Sequence, residues 1–514
     1  MSGHRPLVIL GLDTGDPDAI EQWVAEGHLP TIAGLMRRGA WGRTGGAELV
    51  CEYGVGLTLF SGVSRRDHGY YYFRQLEPET YDLVTVAPPT EAAPPFWWAL
   101  RETDRRVLIL DVPDNRPLAG LAGLQLANWA THHGSKYPPE AEPASLHDEA
   151  LRVFGPQMRI SSQHAPGADA AREIRDRLLE RVRRKGALAR DMLARGPFDL
   201  SVIFFSETDA ASHALWRFRP EAAGAQTLSD EERALTHGLC EVYAAVDREI
   251  GELVDRLPED ADVFVVSLYG CQDEYPTSTL IGSFLGELGY HRERSGGGAA
   301  NGAQGRDPLA LVRRLVPLHV REAIGRRLPE AGQERLLAER LRTATDWSRT
   351  SAFAVPSLFT SFVRINLIGR EPQGIVAPGA EYDDLLTRLE DDLRMLVDAD
   401  TGKPAVRRAV RTTGLFGGPP PPQLPDLFVE WQPGPTMLTR VSHPRATLVQ
   451  PQPGYCPDSQ EKLTGFLAAA GPSVRPCGDL GEVDLLDLAP TFLRLLGCDA
   501  GMPLRGRPLP TLLV

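Results

Sequence analysis

Long apolar runs are missing from this chain of 514 residues, and cysteine is scarce. No stretch approaches the roughly 20 apolar residues that a membrane-spanning helix needs, which argues against an integral membrane protein. The six cysteines form no CxxC pair and no dense framework, so a reducing cytoplasm is the expected location. The residues before the first strand contain no signal-peptide core or cleavage site, and no internal repeat is found.

An excess of basic charge is also missing. The chain has 55 Lys and Arg against 68 Asp and Glu, a formal net charge of −13. This balance argues against a main role in binding nucleic acid or an anionic membrane surface. An apolar content of 42% and a charged content of 24% are ordinary for a globular protein. The bias toward Ala, Arg, Gly and Pro indicates a GC-rich bacterial genome.

Short apolar segments alternate with helical patterns along most of the chain. This alternation predicts an α/β fold, a three-layer α/β/α sandwich in which helices cover both faces of a mainly parallel sheet. Strands are predicted at 7–12, 106–111, 200–205, 262–268, 426–431 and 465–471, and helices at 19–38, 169–195, 230–257 and 486–496.

One region interrupts the alternation. Residues 295–305 are rich in Gly, Ala and Asn, and basic amphipathic helices follow to about Arg342. Because this region neither follows a strand nor opens a helix with phosphate-loop spacing, it indicates an inserted cap or lid rather than a nucleotide cradle. The predicted division is an α/β core of residues 1–284 and 347–514, with a helical cap at 285–346.

The segment around Asp209 carries the clearest chemical signal. An apolar strand pattern ends just before Asp209, and His213 follows four residues later. A carboxylate at a strand end and an imidazole one helical turn on can face the same crevice and bind Zn²⁺, Mn²⁺ or Fe²⁺. The alternative is an aspartate N-cap with a histidine on the same helix face.

Further short motifs occur in a characteristic order. Val8-Ile9-Leu10-Gly11-Leu12-Asp13 forms a strand that ends in an aspartate. Leu29-Pro30-Thr31, Phe60-Ser61-Gly62, His68-Gly69 and Asp487-Leu488-Ala489-Pro490-Thr491 follow it. With these landmarks, the whole chain resembles the type I phosphodiesterase and nucleotide pyrophosphatase branch of the alkaline phosphatase superfamily.

The resemblance implies a phosphoryl-transfer site with two metal ions, commonly zinc, and a Thr, Ser or modified Cys nucleophile between them. Asp13, Asp209 and His213 match the metal ligands of the family. The family's Asp-His pair aligns with Leu268-Tyr269, and its late histidine aligns with Tyr455. An intact dinuclear zinc centre is therefore not expected. The resemblance leads us to expect at most one ion, which would be Zn, Mn, Fe or Mg.

The nucleophile position aligns with Glu52, or with Cys51 after a slip of one residue. Glu52 is either a ligand that joins Asp13, Asp209 and His213 around one ion, a general base or carboxylate nucleophile, or a turn residue left after loss of the site. Cys51 is the thiol whose reactivity is worth testing.

Two tyrosines stand where the family has imidazoles. Tyr269 and Tyr455 could donate a hydrogen bond to a substrate oxygen or act as acids. The alternative is that each packs into the space of the lost metal ion. Both are kept as catalytic candidates, together with Glu52 and Cys51.

These observations predict a hydrolase or group-transfer enzyme that acts on an anionic small molecule. The substrate would be a phosphate, nucleotide or sulfate ester, as in a tailoring step of specialised metabolism, and the site would hold at most one metal ion. The alternative is a catalytically inactive descendant that serves as a binding or scaffold protein. No nucleic-acid or membrane partner is expected, and the sequence carries no signal for the oligomeric state.

Overall fold

The structure of the protein is a computed structural model. It describes residues 5–51, 53–130, 138–156, 158, 160, 167–220, 228–277, 279–294, 330–417, 421–450, 459–498, 501 and 504–514. Glu52 and Tyr455, two of the predicted site residues, lie outside the described residues.

Nineteen strands occur in the described residues. They are β1 Leu7–Thr14, β2 Ala40–Gly45, β3 Arg74–Leu76, β4 Leu83–Thr85, β5 Arg106–Leu110, β6 Ala122–Ala127, β7 Glu140–Glu142, β8 Leu200–Phe205, β9 Asp262–Asp273, β10 Ala352–Val355, β11 Ser361–Ile365, β12 Val397–Asp398, β13 Val406–Arg411, β14 Leu427–Trp431, β15 Arg440–His443, β16 Ala446–Val449, β17 Ser459–Lys462, β18 Gly465–Ala470 and β19 Gly478–Asp484.

The largest sheet has the strand order β19-β2-β18-β9-β1-β8-β5-β6-β7, and β17 pairs with the far end of β9. Its central strands β9, β1, β8, β5 and β6 run parallel. Every residue of β1 and β8 is buried. Their continuous apolar runs are typical of parallel strands that are covered on both faces. The predicted mainly parallel sheet is confirmed.

Helices cover this sheet on both faces. The described helices are α1 Pro17–Ala25, α2 Pro30–Arg38, α3 Val55–Ser61, α4 Arg65–His68, α5 Ser145–Phe154, α6 Ala168–Leu193, α7 Glu207–Leu215, α8 Asp230–Arg233, α9 Gly238–Val254, α10 Leu280–Glu287, α11 Glu330–Ala344, α12 Ala380–Arg394, α13 Thr412–Phe416 and α14 Leu488–Leu496. One apolar core packs α1, α2, α6, α7 and α9 on the sheet, and a second packs α3 and α14 on its opposite face. The three-layer sandwich is therefore confirmed.

A smaller unit lies beside the sandwich. It contains a four-stranded antiparallel sheet, β10-β11-β14-β13, and a three-stranded sheet, β12-β15-β16. These strands share an apolar core with α10 and α12. The described residues of the predicted cap that follow residue 294 form one helix, α11. The division at residues 285 and 346 stays a prediction, because residues 295–329 are not described.

β17 is held close to the end of β9. Lys462 pairs with Gly270, and Ser459 pairs with Asp273, in antiparallel register. A Cβ atom at Gly270 would lie 2.6 Å from the carbonyl oxygen of Thr464, closer than side chains tolerate. Glycine at this position therefore allows the turn after β17 to approach β9.

None of the described helices is long and apolar enough to cross a membrane.

Candidate functional site

Asp13 and Asp209 lie at the carboxyl ends of neighbouring parallel strands. Asp13 is the penultimate residue of β1 and is fully buried, and Asp209 lies in the first turn of α7, directly after β8. Thr14 connects the two elements, since its Oγ1 donates to Oδ1 of Asp209 at 3.0 Å and its amide donates to Oγ1 of Thr208 at 3.3 Å. The crevice at the carboxyl ends of such strands is where open α/β sheets bind ligands.

His213 lies one helical turn after Asp209. Residues four apart share one face of a helix, and Nε2 of His213 is 3.6 Å from Oδ1 of Asp209. The predicted pair is therefore brought together by the local geometry of α7.

Glu461 joins this pair from a distant part of the chain. β17 places Glu461 opposite Cys271 of β9, and its Oε1 lies 3.4 Å from Nε2 of His213. One donor atom each from Asp209, His213 and Glu461 lies within 4.8 Å of the others. We call these three residues the donor cluster. Sequence reasoning missed Glu461, because the four residues of β17 are all polar and show no apolar alternation that would predict a strand.

Tyr269 lies near the donor cluster, in register with Thr14 of β1. Burial raises the pKa of its phenol well above the usual range, and the carboxylates of Asp114, Asp13, Glu461 and Asp209 add to this rise. The phenol therefore stays protonated at physiological pH and is a hydrogen-bond donor. The charge of Asp13 helps to raise the pKa of the Tyr269 phenol. Within the described residues, however, Asp13 is not a member of the donor cluster.

Leu268 belongs to the core. Its side chain is 2% exposed and packs in the apolar cluster between the sheet and α3. With Leu268 apolar and Tyr269 protonated, this strand end offers no anionic or imidazole ligand at these two positions.

Cys51 is fully buried and is not part of the donor cluster. Its Sγ lies 3.2 Å from the carbonyl oxygen of Tyr71 and 2.7 Å from Nη1 of Arg65. The thiol packs in an aromatic cluster that includes Tyr71 and Phe362. Cys51 therefore packs in the core, within the segment that precedes α3.

Thr58 lies 3.1 Å from Nε2 of His68, an arrangement that looks like a nucleophile with its base. The other ring nitrogen, Nδ1, accepts the amide of Tyr70 at 3.0 Å, so the proton of the neutral ring must sit on Nε2. Burial, together with the nearby charge of Arg65, lowers the pKa of His68 to about 3. Nε2 therefore donates to Thr58 and cannot accept its proton, which excludes Thr58 and His68 as a nucleophile–base pair.

The sequence profile described as "Type I phosphodiesterase / nucleotide pyrophosphatase" matches residues 7–350, about two thirds of the chain. The chain belongs to this family. None of the curated proteins compared with the chain matches it significantly.

Two solved structures resemble the chain over nearly its whole length, at low sequence identity. Phosphonoacetate hydrolase from Sinorhizobium meliloti 1021, in complex with phosphonoformate, has a TM-score of 0.51 and 12% identity, and the match covers 96% of each chain. Human ectonucleotide pyrophosphatase / phosphodiesterase 5 has a TM-score of 0.46 and 9% identity over 98% of this chain and 97% of its own. At these identities the first likeness supports the fold alone, and the second carries no further argument.

The donor cluster fits one divalent ion of the kind that the phosphodiesterase family uses. One imidazole nitrogen and two carboxylate oxygens form a ligand set suited to Zn²⁺, Mn²⁺ or Fe²⁺. Two carboxylates in a partly buried crevice also need a cation or a proton between them. For a second ion, Asp13 is the one predicted ligand within the described residues. It lies near the phenol of Tyr269, which is protonated and therefore not a ligand. The described residues therefore provide a partial metal site, with the donor cluster as the ligands for one ion.

Proposed function

We propose that this chain is a phosphodiesterase-family hydrolase, or a transferase of the same chemistry, with a mononuclear metal site. Asp209, His213 and Glu461 would hold the ion, and the substrate would be a small phosphate, nucleotide or sulfate ester. The observation that carries the proposal is the convergence of three donor atoms within 4.8 Å from two distant segments. A bound divalent ion would act there as a Lewis acid toward a phosphoryl oxygen.

The chain's own residues prepare this site in three ways. Thr14 donates to Asp209 and so fixes the orientation of that carboxylate, as hydrogen bonds to metal ligands commonly do. The protonated phenol of Tyr269 can donate a hydrogen bond to an anionic substrate oxygen. Asp13, fully buried beside it, keeps the crevice acidic and favours a cation in it.

The nucleophile is assigned to Glu52 or to water. Glu52 occupies the aligned position, and its side chain lies outside the described residues. Cys51 is the weaker candidate, because its thiol is fully buried and its Sγ contacts Arg65 and the carbonyl of Tyr71.

A second candidate function is a binding or scaffold protein without turnover. It is favoured by Leu268 and Tyr269, which replace the Asp-His pair that the family resemblance leads one to expect. A cytoplasmic location and the lack of nucleic-acid and membrane partners remain proposals as well.

Metal content and hydrolysis test the proposal together. Protein purified without chelator should contain about one equivalent of a divalent ion, measured by elemental analysis. It should hydrolyse at least one of bis(p-nitrophenyl) phosphate, p-nitrophenyl phosphate and p-nitrophenyl sulfate. Asp209→Asn and Glu461→Gln should each lower metal content and turnover by tenfold or more, since each removes a ligand, on the order of the losses known for metal-site changes.

The matched control is Asp400→Asn. Asp400 is an exposed carboxylate that pairs with Arg440 and takes no part in the donor cluster. This variant should keep the parent's metal content and turnover. A parent protein with no stoichiometric metal and no turnover, even with added Zn²⁺ or Mn²⁺, would reject the enzyme and leave the binding protein.

A further inference from the structure

A cleft of about 280 Å³ opens beside the donor cluster, between the sandwich and the four-stranded sheet. Residues 460–464 and Leu49 line it from the sandwich, and Arg407, Arg408 and Trp431 line it from the sheet. Glu461 belongs to both the cleft wall and the donor cluster. A substrate bound at the cluster would therefore have its remaining part at or in this cleft.

A β-bulge directs an additional arginine into the cleft. Val406 pairs with Trp431, and Arg408 pairs with the next residue, Glu430, so Arg407 is an extra residue in β13. Successive residues of a regular strand face opposite sides of the sheet. Here Arg407 and Arg408 both line the cleft, as expected where a bulge redirects a side chain beside an active site.

The two arginines differ in their partners. Arg408 pairs with Glu430 at 2.5 Å and donates to the carbonyl of Leu49 at 2.8 Å. Arg407 makes no ion pair or hydrogen bond with any residue that the structure describes. Arg407 is an exposed residue, so its N–H donors are available to a ligand.

A larger cleft, of about 540 Å³, is lined by Lys462 as well and gives a useful contrast. The lysine and the arginine of this cleft already pair with acids of the same cleft. Lys462 pairs with Asp16 and Asp18, and Arg219 lies 3.7 Å from Asp273. That cleft therefore shows no unused charge of the kind that Arg407 provides.

Within the described residues, four acids line the smaller cleft, Glu274, Glu430, Glu461 and Glu482, and none of them forms an ion pair or hydrogen bond with Arg407. Glu430 is paired with Arg408, and Glu461 lies against His213. Glu274 is buried and accepts a hydrogen bond from Gln272, and burial raises its pKa to about 7 although that hydrogen bond and the charge of Arg407 lower it.

We propose that this cleft receives the part of the substrate beyond the phosphoryl group, and that Arg407 binds a second anionic group there. The inference rests on the proposed function, because it takes the donor cluster as the phosphoryl site. A volume of about 280 Å³ suits a compact group such as a carboxylate or a phosphate. Guanidinium binds both by paired N–H···O hydrogen bonds.

Two ligands that differ in one charged group test this proposal. Propylphosphonate carries the phosphonate alone, and 3-phosphonopropionate adds a carboxylate at the far end. Isothermal titration of the full-length protein should show that 3-phosphonopropionate binds about tenfold more tightly or better, the worth of one charge-assisted hydrogen bond. Arg407→Gln should abolish this preference, whereas Arg440→Gln, an equal loss of charge at an exposed pair with Asp400, should keep it.

The remaining outcomes separate the two proposals. Equal affinity for both ligands in the parent, or a preference that survives Arg407→Gln, overturns the role of Arg407. In that case propylphosphonate binding that Asp209→Asn weakens would still support the proposed function. If neither ligand binds, or if Asp209→Asn leaves the affinity for both ligands unchanged, both proposals are overturned. Circular dichroism of each variant checks that the fold is kept.

Discussion

His68 shows how one buried residue couples its protonation to folding. Its folded pKa is about 3, lowered from an ordinary value of 6.5 by burial and by Arg65. Between these two values the unfolded chain binds a proton that the folded chain does not. The stability contributed by neutral His68 is thus complete above pH 6.5 and is lost as the pH falls toward 3.

We expect the free energy of unfolding to fall, because of His68, by up to about 1.4 kcal/mol for each pH unit below 6.5. Urea denaturation at pH 7, 6 and 5 gives the free energy of unfolding of the parent and of His68→Gln. The contribution of His68 is the difference between the slopes of that free energy against pH in the two proteins. His147→Gln, on the partly exposed surface of α5, should leave the slope as in the parent. A His68→Gln variant with the parent's slope would contradict the assignment.

Which site residues could be predicted depended on how far apart they lie in the chain. Asp209 and His213 follow from a spacing of four within one helix, so local sequence predicts their contact. Glu461 reaches His213 because β17 pairs with β9, and such long-range pairing leaves no local trace. Whether Asp13 and Glu52 act with them stays a prediction.

Among the elements, α7 depends on a buried ionic network at its first residue. Glu207 is fully buried, and its Oε1 accepts from Nε of Arg181 at 2.8 Å and lies 3.5 Å from Nζ of Lys185. Lys185 is also fully buried and pairs with Asp111 at 3.1 Å. Since Asp209 and His213 follow within the same helix, this network holds their helix in place.

Removal of one carboxylate from this network should be costly. Glu207→Gln removes the described carboxylate partner of Arg181 and leaves Lys185 with Asp111 alone, so we expect a loss of about 3–5 kcal/mol in the free energy of unfolding. Urea denaturation at neutral pH measures it. The control is Glu173→Gln on the exposed face of α6, where the loss should stay below about 0.5 kcal/mol. Equal losses in the two variants would mean that the buried network contributes little.

At the scale of the whole molecule, the sandwich was predictable, and of the smaller unit only β14 was, as the predicted strand at 426–431. Parallel strands that are buried on both faces give continuous apolar runs, as in β1 and β8, and these stand out in a sequence. The strands β10, β11 and β13 are four to six residues long, and β13 carries three arginines. Short strands of mixed polarity carry little periodic signal, so the antiparallel sheets emerged only from the structure.

Aromatic packing joins the two parts of the molecule. Tyr71, from the segment after α4, lies edge-on to Phe362 of β11 at 4.9 Å and to Phe428 of β14 at 6.1 Å, measured between ring centroids. All three rings are buried, and Trp347 belongs to the same cluster. The cleft with Arg407 lies between the same two parts, so we expect this packing to influence its width.

If this packing couples the two parts, Phe428→Ala should destabilise both. We expect a loss of about 3–5 kcal/mol in the free energy of unfolding, the range for truncation of a buried phenylalanine. Urea unfolding should be followed by tryptophan fluorescence and by far-ultraviolet circular dichroism, and the two transitions should stay coincident. Ile368→Ala, at a side chain that is 50% exposed, should shift neither. Transitions that separate in Phe428→Ala would show that the sandwich folds without the smaller unit, and the cleft between them would then be set by other contacts.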